Sequence, residues 1–315
     1  MPFQNCLLSE TFQGKYAQAP YFEGWYFRLQ NGSHSISLIP GICLNPQPHA
    51  YLQILNGEKG ASSYQEYPFS AFRFRQDRFA ISIGENHFSS TSIHLREPQL
   101  HGDISFTNRV PFCAHRLNTG MMGPFAFVPW LQCRHGVVTI RSTLAGALTD
   151  DTGTMDFTGG IGYVEKDWGT AFPQPYLWTQ AHFGLSTFML CLARVPLPGG
   201  ALTGILAFLY TGQKRYLFST YTGTRLSTIC RTEDGAWHLI FRTPFHRLFL
   251  RLITHKGLTL RAPGTQGMNR EIQEDPHANL SVRLATCGGD TVFQGKSADA
   301  SAEIVGDLLQ LTKQA

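Results

Sequence analysis

Charge is scarce in this chain. Only 15% of its 315 residues are Asp, Glu, Lys or Arg, against about a quarter in ordinary globular proteins. The net charge of +4 is small for the length and no basic block occurs, so nucleic acid is not an indicated partner. A cysteine pattern is also lacking. Cys6, Cys43, Cys113, Cys133, Cys191, Cys230 and Cys287 stand singly, an odd total with no CxxC pair. That disfavours a disulfide framework or a zinc ribbon and fits reduced, mostly packed thiols in the cytoplasm. The opening MPFQNCLLSETFQGKY has no basic region followed by an apolar run, so no signal peptide is expected. Nowhere is there an apolar run long enough to span a bilayer, although peripheral contact with a membrane stays open. GxGxxG, Walker and GxSxG motifs are missing as well. Neither a nucleotide cofactor nor serine hydrolase chemistry is supported, and no cofactor or metal is expected.

What the chain does hold is rings and turns. Aromatic residues make up 12%, and 31 glycines and 17 prolines are spread along the whole length. That composition predicts many short strands joined by tight turns, an all-β protein with few helices. Asn31-Gly32 and Asn56-Gly57 read as hairpin turns, and SAFRFRQDRFAISIG alternates apolar with polar residues like a strand pair with one buried face. The run PFAFVPW reads as a strand with an edge or bulge at Pro129, and Gly136 permits a bulge that aims His135 inward. Asp150, Asp151 and Gly153 mark a soft boundary, giving domains 1–152 and 153–315. Turn signals then recur at Pro198-Gly199-Gly200, Asp234-Gly235, Lys256-Gly257 and Gly288-Gly289, spacing that predicts an antiparallel barrel. MNREIQE from Met268 and the C-terminal EIVGDLLQL read equally as helix or strand. His87, His94 and His101 have no ligand spacing and read as surface histidines.

One stretch departs from ordinary sheet. Residues 159–183, GGIGYVEKDWGTAFPQPYLWTQAHF, set Glu165, Lys166 and Asp167 among Tyr163, Trp168 and Trp178. Carboxylates and lysines are rarely buried without partners, so this run is a candidate for shifted pKa values and chemistry. If extended, it places Glu165 and Asp167 on one side and Lys166 on the other. An earlier run, FEGWYF, puts Glu23 beside Trp25 and Phe27, either as a solvated edge residue or as part of an aromatic face. Glu23, Glu165, Lys166 and Asp167 are also read as a purely structural ion network joining two β domains.

PYFEGWYF at 20–27, GPFAFVPWLQCRHGVV at 123–138 and the 159–183 run together resemble the tocopherol cyclase family. The resemblance implies two β domains, a sandwich or barrel followed by a lipocalin-like barrel, with a hydrophobic small molecule as substrate. It further implies cofactor-independent closure of a chromanol ring: an alkene of a prenylated quinol is protonated and the phenol oxygen adds to the tertiary cation. On that expectation Asp167 is the acid, its pKa raised by burial among rings, and Glu165 shares its proton. His182 or His135 accepts the phenol proton, and Gln180 orients the oxygen. Glu23, Trp25, Tyr26, Tyr163, Trp168 and Trp178 line the substrate, with Trp25 and Trp178 against the cation. The competing reading is a lipocalin-like binder or carrier of an apolar molecule, without chemistry.

Overall fold

The structure, a computed structural model, describes residues 10–112 and 120–312. Antiparallel strands dominate it, gathered into one twelve-stranded and one ten-stranded sheet, and one of the two curls into a nearly closed barrel. The chain divides into two compact units, Met1–Phe172 with Leu260–Glu271, and Pro173–Thr259 with Ile272–Ala315. The division therefore does not fall at residue 152. The polar turn there closes a hairpin, because Cys133–Asp150 pairs directly with Gly153–Asp156. The unusual stretch is divided at Phe172, and its strand Ile161–Gly169 lies in the first unit between Phe22–Asn31 and Cys133–Asp150.

That placement makes Ile161–Gly169 central, and it explains why so few of its residues are exposed. Outward from Phe22–Asn31 follow His34–Cys43, His49–Asn56 and Ala61–Pro68. Alternation sorts each strand into two faces. One face carries Trp25, Phe27, Leu29, Val164 and Trp168 into the core of the first unit, together with Ile36, Leu38, Phe88 and Ile104. Trp25 and Phe27 are fully buried, each worth about 2–3 kcal/mol relative to exposure. The other face carries the polar residues described below. The second unit has its own core of Leu177, Phe188, Leu190, Phe241, Leu250 and Val282 among others.

Several local expectations shift. The first hairpin forms, but Asn31 stays in its strand opposite His34, and the turn falls on Gly32 (φ +58°) and Ser33. Asn31 donates instead to the carbonyls of Asp156 and Thr158. The PFAFVPW run is not a strand: Gly120–Phe127 forms 3-10 turns around Pro124. The bulges of Cys133–Asp150 fall after Val137 and Thr139, while Gly136 keeps regular register opposite Lys166. MNREIQE opens the long strand Gly267–Thr286, and the C-terminal segment ends a strand at Val305 before a 3-10 turn, Leu308–Thr312. The five described cysteines form no disulfide with one another. Cys43 is buried, but Cys230 and Cys287 are exposed. Cys6 and Cys113, like the first nine residues, lie outside the described residues. Among the described residues no helix is long and apolar enough to cross a membrane.

Candidate active site

The sheet register assembles the polar face. Asp167 lies opposite His135 on one side and Gly24 on the other, and Glu165 lies opposite Val137 and Tyr26. Directly opposed residues of an antiparallel pair point to the same face, so Asp167, Glu165, His135 and Tyr26 come together as the alternation of the sequence requires. His135 bridges the two carboxylates. Its Nδ1 is 3.0 Å from Asp167 Oδ1 and its Nε2 is 3.5 Å from Glu165 Oε2. The Tyr163 hydroxyl donates to Glu165 Oε2 at 2.6 Å, and the Cys133 thiol lies 3.8 Å from Asp167 Oδ1. The Tyr26 hydroxyl pairs with Ser37 Oγ at 2.9 Å.

Exposure separates the three central groups. The side chains of His135 and Glu165 are 5% and 4% exposed, whereas that of Asp167 is 24% exposed. Asp167 is thus the member of the cluster that can touch another molecule. Burial alone would lower the His135 pKa, but the charges of Asp167 and Glu165 and the hydrogen bond to Asp167 outweigh it and raise it from 6.5 to about 9. Burial, reinforced by Glu165, likewise pushes the Tyr163 phenol well above its usual value and keeps it a donor.

His135, Glu165 and Asp167 offer ligand atoms within 4.8 Å of one another, a set that a divalent cation could use. Yet both ring nitrogens face carboxylates, and at neutral pH the imidazolium carries a proton on each of them. A metal ion bound by all three groups would have to displace a ring proton.

The charged bridge makes stability depend on pH. A folded-state pKa above the unfolded one means that the contribution is complete below pH 6.5 and is lost as pH rises through about 9. The loss amounts to about 3 kcal/mol. Urea unfolding from pH 6 to 9 should show this decline, and His135→Gln should flatten it; an equal decline in the variant would refute the assignment.

Tyr51 completes the face and was not anticipated. A Cβ at Gly24 would fall 2.7 Å from its hydroxyl oxygen, and one at Gly41 would fall 2.5 Å from its ring. The ring therefore lies across two glycines of neighbouring strands, with Met268 and Cys43 around it and Tyr64 stacked at 5.4 Å. Burial drives its phenol pKa well upward. The cover comes from Leu260–Glu271, anchored where the Gln53 amide bonds the Arg261 backbone in both directions, at 2.9 and 2.8 Å. Paired glycines on adjacent strands were the available signal, but only the register shows that they are neighbours.

Three expected lining residues lie elsewhere in the first unit. Glu23, Trp25 and Trp168 project to the opposite face with Lys166. Lys166 Nζ is 2.6 Å from Glu23 Oε1 and lies over the rings of Trp25 and Trp168 at 5.0 and 4.6 Å. Its third partner is the carbonyl of Thr11 at 2.5 Å. Glu23 also accepts from the Gln13 amide at 2.9 and 3.0 Å and from the Tyr21 hydroxyl. Both side chains are fully buried. Burial lowers the Lys166 pKa, with Glu23 pulling it back. Trp178, Gln180 and His182 belong to the second unit, on Tyr176–Phe183. There Gln180 Nε2 is 3.2 Å from His182 Nε2, and His182 Nδ1 is 2.9 Å from Thr187 Oγ1. Neither they nor Trp168 form an aromatic wall around Asp167 within its own unit.

Fold and site together define a two-unit antiparallel β protein with an imidazole held between two carboxylates on a central strand. The chain belongs to the tocopherol cyclase-like family, whose model matches residues 114–306. No curated protein matches it by sequence. Among solved structures it is similar to CghA, at a TM-score of 0.60 and 12% identity over 91% of this chain and 89% of that one. CghA with Sch210972 gives 0.59 at the same identity and coverage. A Nitrosomonas europaea protein assigned as AttH gives 0.54 and 10% identity over 94% and 98% of the two chains. At these identities the likeness is one of fold.

Proposed function

We propose that this chain is a cofactor-independent acid catalyst of the cyclase kind, acting on a prenylated quinol or a related isoprenoid lipid. The observation that carries the reading is the Glu165–His135–Asp167 bridge, with Asp167 alone partly open. Family membership supports the reaction class.

In the proposed step, the proton that His135 and Asp167 hold between them passes through Asp167 to the less substituted alkene carbon. The π pair forms the new C–H bond and leaves a tertiary cation. The phenol oxygen then adds to that cation, and its proton returns to the cluster, so the net reaction is an isomerisation. Hydration differs only in that water supplies the oxygen. His135 supplies that proton through its hydrogen bond to Asp167 and takes up the returning phenol proton afterwards. Glu165, fixed by Tyr163, keeps His135 charged and oriented.

Incubation with a prenylated quinol in deuterium oxide tests this. The expected product is a cyclic ether carrying one deuterium on the carbon beside the newly oxygenated one. Recovery of unchanged quinol bound in stoichiometric amount would overturn the enzyme reading in favour of a carrier.

A further inference from the structure

Three exposed apolar side chains sit on or beside turns at one end of the ten-stranded sheet. Leu185 is 72% exposed, Phe245 is 74% exposed and Val292 is 37% exposed. Leu185 belongs to the turn joining Tyr176–Phe183 to Ser186–Leu197. Phe245 belongs to the turn joining Trp237–Arg242 to His246–Ile253, and Val292 follows the turn after Thr286. Short contacts place these turns at the same end. A Cβ at Gly212 would lie 3.4 Å from Leu185 Cβ, which joins the Leu185 turn to the one before Lys214. The Tyr216 and His246 rings are 5.5 Å apart, which joins that turn to Phe245. The Cys287 amide donates to the Phe245 carbonyl at 3.1 Å, which brings in the fourth turn.

The polar residues of this end are one-sided. Lys214, Arg215, Arg242 and Arg247 stand on or beside two of the four turns, and the one acid among the four turns is Asp290. Its carboxylate is engaged within its own turn, where Oδ2 accepts from the Thr286 hydroxyl at 3.5 Å. Neither Arg242 nor Arg247 pairs with a carboxylate among the described residues. Glu233 and Asp234 lie in the turn at the other end of the strand pair, away from Arg225 and Arg242.

Exposed apolar tips beside a one-sided set of cations are not accounted for by the core of this unit. The apolar tips cost free energy in water, and the cations attract anionic surfaces. We infer that this end docks on a bilayer containing anionic phospholipid, with Phe245 and Leu185 entering the headgroup region and Arg242, Arg247 and Lys214 pairing with phosphates. The chemistry matches interfacial binding, in which shallow apolar insertion and electrostatic attraction add. This holds whether the protein turns over its ligand or carries it.

Cosedimentation with vesicles tests the inference, comparing equimolar phosphatidylcholine and phosphatidylglycerol with phosphatidylcholine alone. The mixed vesicles should bind the protein at least about tenfold more tightly, and rising salt should weaken that binding. Leu185→Ser with Phe245→Ser, and separately Arg242→Glu with Arg247→Glu, should each reduce binding by about tenfold or more. Leu309→Ser, at an exposed apolar site away from these turns, should leave it unchanged. In a Phe245→Trp variant, brominated lipid should quench the added fluorescence. Equal binding to both vesicle types, undiminished binding by the paired variants, or absence of quenching would each overturn the inference. So would a dimer in light scattering that the Leu185 and Phe245 substitutions dissolve, because it would assign this face to a second copy.

Discussion

Asp167→Asn is expected to lower turnover by about a thousandfold while leaving the protein folded. The amide matches the carboxyl in shape and can still accept from His135 Nδ1, so the 3.0 Å contact has a replacement. What it cannot do is give up or take a proton at the pH of the reaction, and a positioned general acid contributes roughly 10²–10⁴-fold. Removing one of the two charges that raise the His135 pKa should also move the imidazole back toward 6.5. The same substitution therefore weakens the decline in the stability of the first unit between pH 7 and 9. Steady-state rates, with urea midpoints measured at pH 7 and 9, check both halves. A variant that turns over within a few-fold of the parent would remove Asp167 from the chemistry. A variant that loses activity but keeps the parent's pH-dependent stability would separate the catalytic role from the electrostatic one.

How much of this was legible in the sequence differs between fold and site. Alternation placed Glu165 with Asp167 and Lys166 opposite them, and Glu23 with Trp25 and Phe27, because side-chain period in a strand is local information. Turn chemistry found the hairpins, though the first turn lies one residue beyond Asn31, whose amide is taken by the carbonyls of Asp156 and Thr158. Strand partnership was not local. Nothing near Asp150 distinguishes a hairpin turn from a linker, and so Ile161–Gly169 was expected to begin the second unit although it pairs inside the first. Trp178, Gln180 and His182, expected in the same site, stand on Tyr176–Phe183 of the second unit. Register corrected a second confusion: Trp168 is adjacent to Asp167 in sequence and for that reason faces the other way. Tyr51 was invisible because its signal, two glycines beneath a ring, requires knowing that Gly24 and Gly41 are neighbours.

The buried pair on the opposite face yields a second large expected effect, one of stability. Lys166→Met should destabilise the first unit by about 3–5 kcal/mol, because it strands the carboxylate of Glu23 in the core without its cation. Native stability is typically only about 5–15 kcal/mol, so such a loss brings the protein close to unfolding at ordinary temperature. Glu23 would keep its bonds from Gln13 and Tyr21, yet hydrogen bonds alone do not neutralise a charge in a setting closed by Trp25 and Trp168. Lys166→Met combined with Glu23→Gln should recover most of the loss, since it removes both charges and leaves an amide able to accept from Gln13. Urea unfolding of the two single variants and the double variant measures the coupling. If the singles are mild and simply add, the pair is not the lock of this core. Because Lys166 and Glu23 point away from His135, the double variant should also keep the pH profile of the parent protein. A shifted profile would mean that the pair acts across the sheet on Asp167, which lies opposite Gly24, next to Glu23 in the chain.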